Sequence, residues 1–465
     1  MTTEATPGTF HGESGDHRAY VATRPAPAAP LGLAVLLALG CSPASDAAST
    51  ANSSTAVDAE MIAAEAPRDS WPGWRGWSRQ GEVHGDGYPL EWSALPGEER
   101  NIAWKVPVPG SGNSSPVVWD GKIFLTTAYE GGDRRSVLAY STEDGRLLWE
   151  TFAPAGPDAE SAYPKNGHAS STVATDGERV YAYLGNLGLL ALTLEGEIAW
   201  HVPLGPFDAF HGTASSPLLW RDRLILVQDQ KGDGNSFIAA FDRATGKQLW
   251  RTAREAQVGW NSPVPVRVET ESGTRDEIVM SGQQMVIAYD PTSGEELWRA
   301  SGSTFEVIPT PVVSKDLVFA SSGRAGPTLA IRPGGSGDVT GSRVVWSSPK
   351  GSPFVVAPMA VGDYLYLVND MASVLTVYEA ASGDLAWQTR LGEAKRESFS
   401  AAPVAVQGHV LFTNDDGVTF VIRQGPDFEV VRTNELDEAV IASPAGVDGT
   451  WYFRTRQSLL AIRGE

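Results

Sequence analysis

Beyond residue 100 the chain reads as short apolar runs of strand-forming residues, each cut off by a turn. The central runs are KIFLTTA, RVYAYLG, RLILVQD, LVFASS, YLYLVN, HVLFTN and WYFRTR. Val, Ile, Leu, Tyr and Phe at this density, bounded by Gly, Asp and Pro, predict β-strands. A shorter apolar segment opens each unit behind a small residue and a proline: SSPVVW at Pro116, SSPLLW at Pro217, NSPVPV at Pro263 and PTPVVS at Pro311. APMAV at Pro358, AAPVAV at Pro403 and ASPAGV at Pro444 continue the series, and SSTVAT at Thr172 fills the remaining slot. Turns such as Asp120-Gly121, Asp176-Gly177 and Asp448-Gly449 separate opening from run, because Gly takes a positive φ without strain. There are eight openings.

A second pattern closes each unit: an apolar segment with a small residue, a polar Gly turn, then Trp. LAYSTEDGRLLW ends at Trp149, LALTLEGEIAW at Trp200, AAFDRATGKQLW at Trp250 and IAYDPTSGEELW at Trp298. A stretched copy ends at Trp346, VYEAASGDLAW ends at Trp387, and NIAW supplies Trp104 upstream. Successive tryptophans are 45, 51, 50, 48, 48 and 41 residues apart. Four strands per unit at this period predict an all-β, eight-bladed β-propeller of four-stranded antiparallel blades. The seven tryptophans are expected to bury their rings between blades, with Ala139, Ala191, Ala240, Ala288 and Ala330 small enough for close approach. The seventh unit, VTFVIRQGPDFEVVRTNEL, has no Trp and carries Val430 and Val431 in the equivalent strand. The eighth stops at LLAIRGE, where its fourth strand would begin, while NIAWKVPV at 101–108 has no three strands before it. The N-terminal strand is therefore expected to complete the C-terminal blade and seal the ring.

Composition fits this picture. The 465 residues include 49 Gly and 31 Pro and are 20% charged, with a formal net charge of −20. So acidic a surface repels nucleic acid and anionic lipid, so nucleic acid is not an expected partner. The single cysteine, Cys41, excludes a disulfide framework. It follows LGLAVLLAL (31–39) and Gly40, an apolar run too short to span a bilayer but suited to a signal peptide. Leu37-Ala38-Leu39-Gly40-Cys41 resembles a bacterial lipobox, which makes Cys41 the expected lipid attachment point. The domain reading is a signal peptide over 1–40, a disordered Ser/Ala-rich tether over 41–70 and the propeller over 71–465. Trp71, Trp74, Trp77 and Trp92 are read as a staple holding the N-terminal segment to the ring.

FDRATGKQLW resembles the pyrroloquinoline-quinone (PQQ) repeat, and the resemblance covers about residues 71–465. WPGWRGWSRQG at 71–81 is similar to the leader of PQQ-like envelope propellers, whereas the Gly-His and Trp-Asp marks of WD40 units are missing. The resemblance implies one of two functions. One is a lipid-anchored binding or scaffolding module of the cell envelope, similar to BamB-like lipoproteins, on the periplasmic side or at the cell surface. Its partners would be envelope proteins, or a small-molecule or glycan ligand at the propeller face, with the membrane met through the lipid anchor only. The alternative is a PQQ-dependent oxidoreductase acting on alcohols or sugars, with PQQ and Ca²⁺ at the ring centre. The adjacent cysteines of the alcohol-oxidising branch are absent here, and only 153–167, 267–277 and 333–342 exceed a tight turn.

No HExxH, CxxC, GxSxG or phosphate-binding glycine loop is present. In a propeller the residues just before each opening ring the central channel. Here they include Asn113, His168, His211, Trp260 and Asn261, a polar and aromatic half-ring that suits a ligand pocket. The same side chains also suit the capping of strand ends. Arg251, Arg254, Gln228 and Asp229 lie on nearby strand ends, and Glu306 opens the mostly apolar second half with Glu397 further on. Asn113, Glu306 and Asp229 offer Ca²⁺-type oxygens, but nothing in the sequence brings them together. No catalytic residue and no metal ligand is assigned.

Overall fold

A computed structural model of the chain describes residues 59–465 except Asp233, Arg324, Ala325, Arg396, Glu397 and Glu465. Cys41, the expected signal peptide and most of the expected tether therefore lie outside the described residues, as does Glu397. The described part is an eight-bladed β-propeller. Seven sheets have four strands, and the fourth blade gains two short additions. Blade 1 runs outward through Val117–Trp119, Lys122–Tyr129, Arg134–Ser141 and Leu147–Phe152. The short first strands of neighbouring blades contact one another and form the inner ring. Blade 8 takes Ala445–Val447, Thr450–Arg454 and Ser458–Arg463 from the C-terminus, and its fourth strand is Ile102–Pro107.

The tryptophans explain the Gly turn. All but Trp387, which faces Val377, stand directly across from an alanine of the preceding strand, as Ala139 pairs with Trp149 and Ala461 with Trp104. The indole N–H donates to a carbonyl in the outer turn of the next blade. Trp104 reaches Thr142 at 3.2 Å, Trp149 Leu194 at 3.0 Å and Trp200 Arg243 at 3.1 Å. Trp250 reaches Pro291 at 3.1 Å, Trp346 Ala380 at 3.0 Å and Trp387 Gly425 at 3.2 Å. For five of the six, all but Trp387, the ring lies on the turn glycine itself. A Cβ at Gly196 or Gly294 would come within 2.7 or 2.4 Å of the indole, at φ values of +89° and +77°. These six rings are half-buried rather than enclosed, because they sit toward the outer edge of the blades.

Two exceptions share one cause. Blade 5 has the stretched turn, so Trp298 has no Gly turn to meet. It is fully buried and donates to the Glu277 carboxylate at 2.7 Å, under a loop whose Gly337–Asp338 pairs alongside it. Blade 8 has no outer turn at all, since its last two strands come from opposite ends of the chain. In blade 7 the Trp position is Arg432, opposite Val421, and neither Val430 nor Val431. Where the turn is lost, the Trp is lost with it.

Residues 59–100 cross one face of the ring and bond to every blade. Trp71 pairs with Val118, Pro72 accepts from Thr175, and Arg79 donates to Leu219 at 2.5 Å. Ala59–Met61 forms a strand against Val266–Val268, and Gln80 accepts from the Val313 N–H at 2.8 Å. Arg75 donates to Pro358 O at 2.9 Å, Gly81 and Val83 pair with Ala405, and Pro89 accepts from Trp451. The contacts with the ring thus begin ahead of residue 71. The composition of 59–70 suggests a tether, but the backbone of 59–62 pairs with the exposed edge of blade 4, which a long hairpin of Val264–Thr270 and Gly273–Gly282 leaves open.

Candidate functional site

The Ser-Pro openings turn out to form a belt. The backbone N–H of each opening residue donates to the side-chain hydroxyl of the next blade's. Ser443 donates to Ser115, Ser115 to Thr172, Thr172 to Ser216, Ser216 to Ser262 and Ser262 to Thr310, all at 2.9–3.0 Å. Ala402 donates to Ser443 at 2.9 Å, and the belt lapses at Ala357 and Ala402, which carry no hydroxyl. An N–H that lines a channel between strands has no ladder partner, and the neighbouring hydroxyl supplies one.

Two residues before the belt, one side chain per blade faces the channel. Asn113, Ser170, Trp260 and Ser400 share the ring with the apolar Ala214, Ile308, Val355 and Ile441. Above this ring opens a funnel of 300 Å³, walled further by Tyr163, Lys165, Asn166, His211, Glu306 and Phe354. Below it the channel narrows, and Trp74 of the N-terminal strap lines its other end. The strap thus leaves the funnel as the broad end. Its size is at the lower limit of small-ligand sites.

Of the five candidates, three line the funnel: Asn113, His211 and Trp260. His211 and Trp260 stack at 6.1 Å between centroids and 20° between planes, with Tyr163 5.3 Å from His211. His168 and Asn261 do not line it. His168 bonds through Nε2 to the Glu160 carbonyl at 2.8 Å. Asn261 is buried, donating to Ser281 O at 2.8 Å and accepting from the Ser281 N–H. Both serve as strand-end caps. Arg254 and Asp229 form a buried pair at 2.8 Å, and Arg251 lies 3.7 Å over the Phe237 ring, so these too are structural.

What sequence reasoning missed is the wall built by 153–167, visible there only as a loop longer than its counterparts. Glu160 anchors it. Its carboxylate takes two bonds from Arg135, at 3.0 and 2.7 Å, and one each from Thr213 and the Asn186 N–H, with both side chains of the pair fully buried. Burial pushes the Glu160 carboxyl up, but Arg135 overrides it and holds the group below the ordinary range. The loop so fixed delivers Tyr163, Lys165 and Asn166 to the funnel. Lys165 reaches Asp415 of blade 7 at 2.7 Å, tying the loop to a distant blade. Burial raises the Asp415 pKa against the pull of Lys165.

Asp370 braces the apolar half, accepting from the N–H groups of Phe354 at 2.7 Å and Val355 at 3.2 Å. It is fully buried, its Oδ2 has no partner, and burial raises its pKa above the usual 3.8. A raised carboxyl contributes stability that is present below pH 3.8 and lost as pH rises through the folded value. Asp370→Asn is therefore expected to flatten this decline, read as urea midpoints of both proteins between pH 4 and 7. Parallel curves would contradict it.

Comparison with known proteins bears on this geometry. The model of the family described as outer membrane protein assembly factor BamB matches residues 90–232 and 167–389. The chain belongs to that family of PQQ-like propellers. No curated protein sequence matches it. Among solved structures, BamB from Moraxella catarrhalis is 14% identical with a TM-score of 0.54, over 78% of this chain and 96% of that one. Quinohemoprotein alcohol dehydrogenase from Comamonas testosteroni is 12% identical with a TM-score of 0.59, over 86% and 82%. The computationally designed Ika8 protein is 11% identical with a TM-score of 0.55, over 78% and 99%. At these identities the likeness is one of fold.

The resemblance of the repeat to the PQQ repeat makes the funnel a place to weigh that cofactor. PQQ is a flat polyanion that is held with a metal ion, and Ca²⁺ takes six to eight oxygens. Among the described residues no three His, Cys, Asp or Glu side chains converge to hold a metal. Lys165 is the single cation among the described funnel residues, it is ion-paired with Asp415, and Glu306 shares the wall. The described lining does not fit that group.

Proposed function

We propose that this protein is an exported, lipid-anchored binding module of the bacterial cell envelope, with Cys41 as its lipid attachment and the funnel face as its docking surface for other envelope proteins. The observation that carries it is the funnel: a cup of aromatic and apolar walls whose one described cation is already neutralised. The family's description as an assembly factor of outer membrane proteins supports a protein partner. Among the described residues no helix is long and apolar enough to cross a membrane. A photo-crosslinking residue at Tyr163, in cells, is expected to capture an envelope protein that the same residue at Leu385, on an outer blade edge, does not. Equal capture at both positions would remove the funnel from the reading.

Structural likeness to a quinohemoprotein dehydrogenase supports the second reading, a PQQ-dependent oxidoreductase. Titration with PQQ and Ca²⁺ separates the two. The binding-module reading expects no new absorbance and no shift in melting temperature, and turnover of an alcohol or sugar would overturn it.

A further inference from the structure

The polar groups of the funnel share a direction. Asn113 donates both amide hydrogens into the wall, to Lys165 O at 2.8 Å and Asn166 O at 2.6 Å. Asn166 does the same toward His211 O at 2.9 Å and Thr213 O at 3.4 Å. Ser170 donates to Asn166 O, Ser400 to Asp415 Oδ2 at 3.1 Å, and the Trp260 N–H to Gly212 O at 2.9 Å. With these hydrogens committed, Asn113, Asn166, Ser170 and Ser400 are left with carbonyl and hydroxyl oxygens, beside the Glu306 carboxylate and the rings of Tyr163, Trp260 and Phe354, while Asp415 stands behind Lys165 and Ser400 and bonds to both. Such a cup recognises a donor, and oxygen acceptors with aromatic faces favour a cation. Lys165 already demonstrates the fit, with its ammonium 2.7 Å from Asp415. The Asp415 Oδ1 is buried and has no hydrogen-bond partner. The remainder of the protein adds to the preference, with its net charge of −20.

We propose that the funnel receives the ammonium of a lysine side chain presented by a protein partner, with Asp415 as its counter-charge and Lys165 as the internal cation it displaces. This rests on the reading of the chain as a protein-binding module. An ammonium is preferred to a guanidinium because an ammonium is what the site already holds. A protein is preferred to a free amine because Phe210 and Phe305, 43% and 50% exposed, stand beside the mouth next to His211 and Glu306 and offer contact surface beyond the cup.

The test is a gain of binding, which misfolding cannot produce. The probe is Nα-acetyl-lysine amide, with Nα-acetyl-norleucine amide as its uncharged counterpart, both measured by calorimetry on the purified protein. Lys165→Met is expected to bind the lysine probe at least about tenfold more tightly than the parent, with the norleucine probe unchanged. Lys165→Met combined with Asp415→Asn is expected to lose that gain while melting as a folded protein. No tightening in Lys165→Met, or equal tightening toward both probes, would overturn the proposal. Crosslinking from Tyr163 is independent of it. Capture without an amine gain refutes the lysine assignment alone, and selective capture lost at Tyr163 refutes the binding-module reading beneath it.

Discussion

Removal of residues 59–107 is expected to leave no folded ring. The loss takes away the strand Ile102–Pro107 and with it the cover of Leu459, Leu460, Ala461 and Ile462, all fully buried in the third strand of blade 8. Uncovering such side chains costs about 1.5–3 kcal/mol each, and a domain's whole stability is about 5–15 kcal/mol. The deletion also removes the Trp104 bond to Thr142 across the seam and the strap's bonds to all eight blades. What remains at the closure is the apolar packing of blade 8 on blade 1, the Ser443–Ser115 link and Arg454, which is bonded to Ser114 and Thr126 of blade 1. Arg454 touches no carboxylate, and burial lowers its pKa to about 10, so it joins the blades without an ion pair. Near-UV circular dichroism and limited proteolysis should show collapse. A synthetic peptide spanning 59–107, added in trans, should restore the native signal. A truncated protein that melts like the parent would show that the N-terminal segment merely decorates the ring.

The second large effect is expected at Glu160. Glu160→Gln leaves Arg135 charged, buried and without its counter-charge, and breaking a buried pair on one side costs about 3–5 kcal/mol. Replacing both partners, Arg135→Met with Glu160→Met, should recover most of that loss in urea unfolding, because no uncompensated charge remains. The single variant should also release the loop 153–167. Crosslinking from Tyr163 would then fall even under conditions where the propeller stays folded. If the single and double variants were equally unstable, the pair would matter for packing alone.

The blades were legible in the sequence because their determinants are local. A Gly turn and a Trp four residues later record one contact with the next blade, repeated, and the two irregular tryptophan positions follow from two irregular turns. The blade count and the seam could be read the same way. The funnel was legible in part, since Asn113, His211 and Trp260 lie at repeat positions next to the openings. His168 and Asn261 share that neighbourhood, but His168 is held by the Glu160 carbonyl and Asn261 by the Ser281 backbone, contacts that no repeat position announces. Lys165, Tyr163 and Glu160 belong to no repeat. Their roles depend on Arg135 and Asp415, which are distant in sequence, and a loop's landing place has no local code. The strap was foreshadowed by its tryptophans, but its bonds to each blade were not, because Arg75, Gln80 and Pro89 meet groups scattered over the whole chain.

The seam has one more consequence. The Arg463 N–H donates to Asn101 O at 2.9 Å, so the two ends of blade 8 already lie side by side. Joining them with a short Gly turn of the kind found in the other blades would make the ring continuous, and new termini could then be opened at another exposed outer turn. The order in which the blades are written in the chain is one of several that the same circle permits.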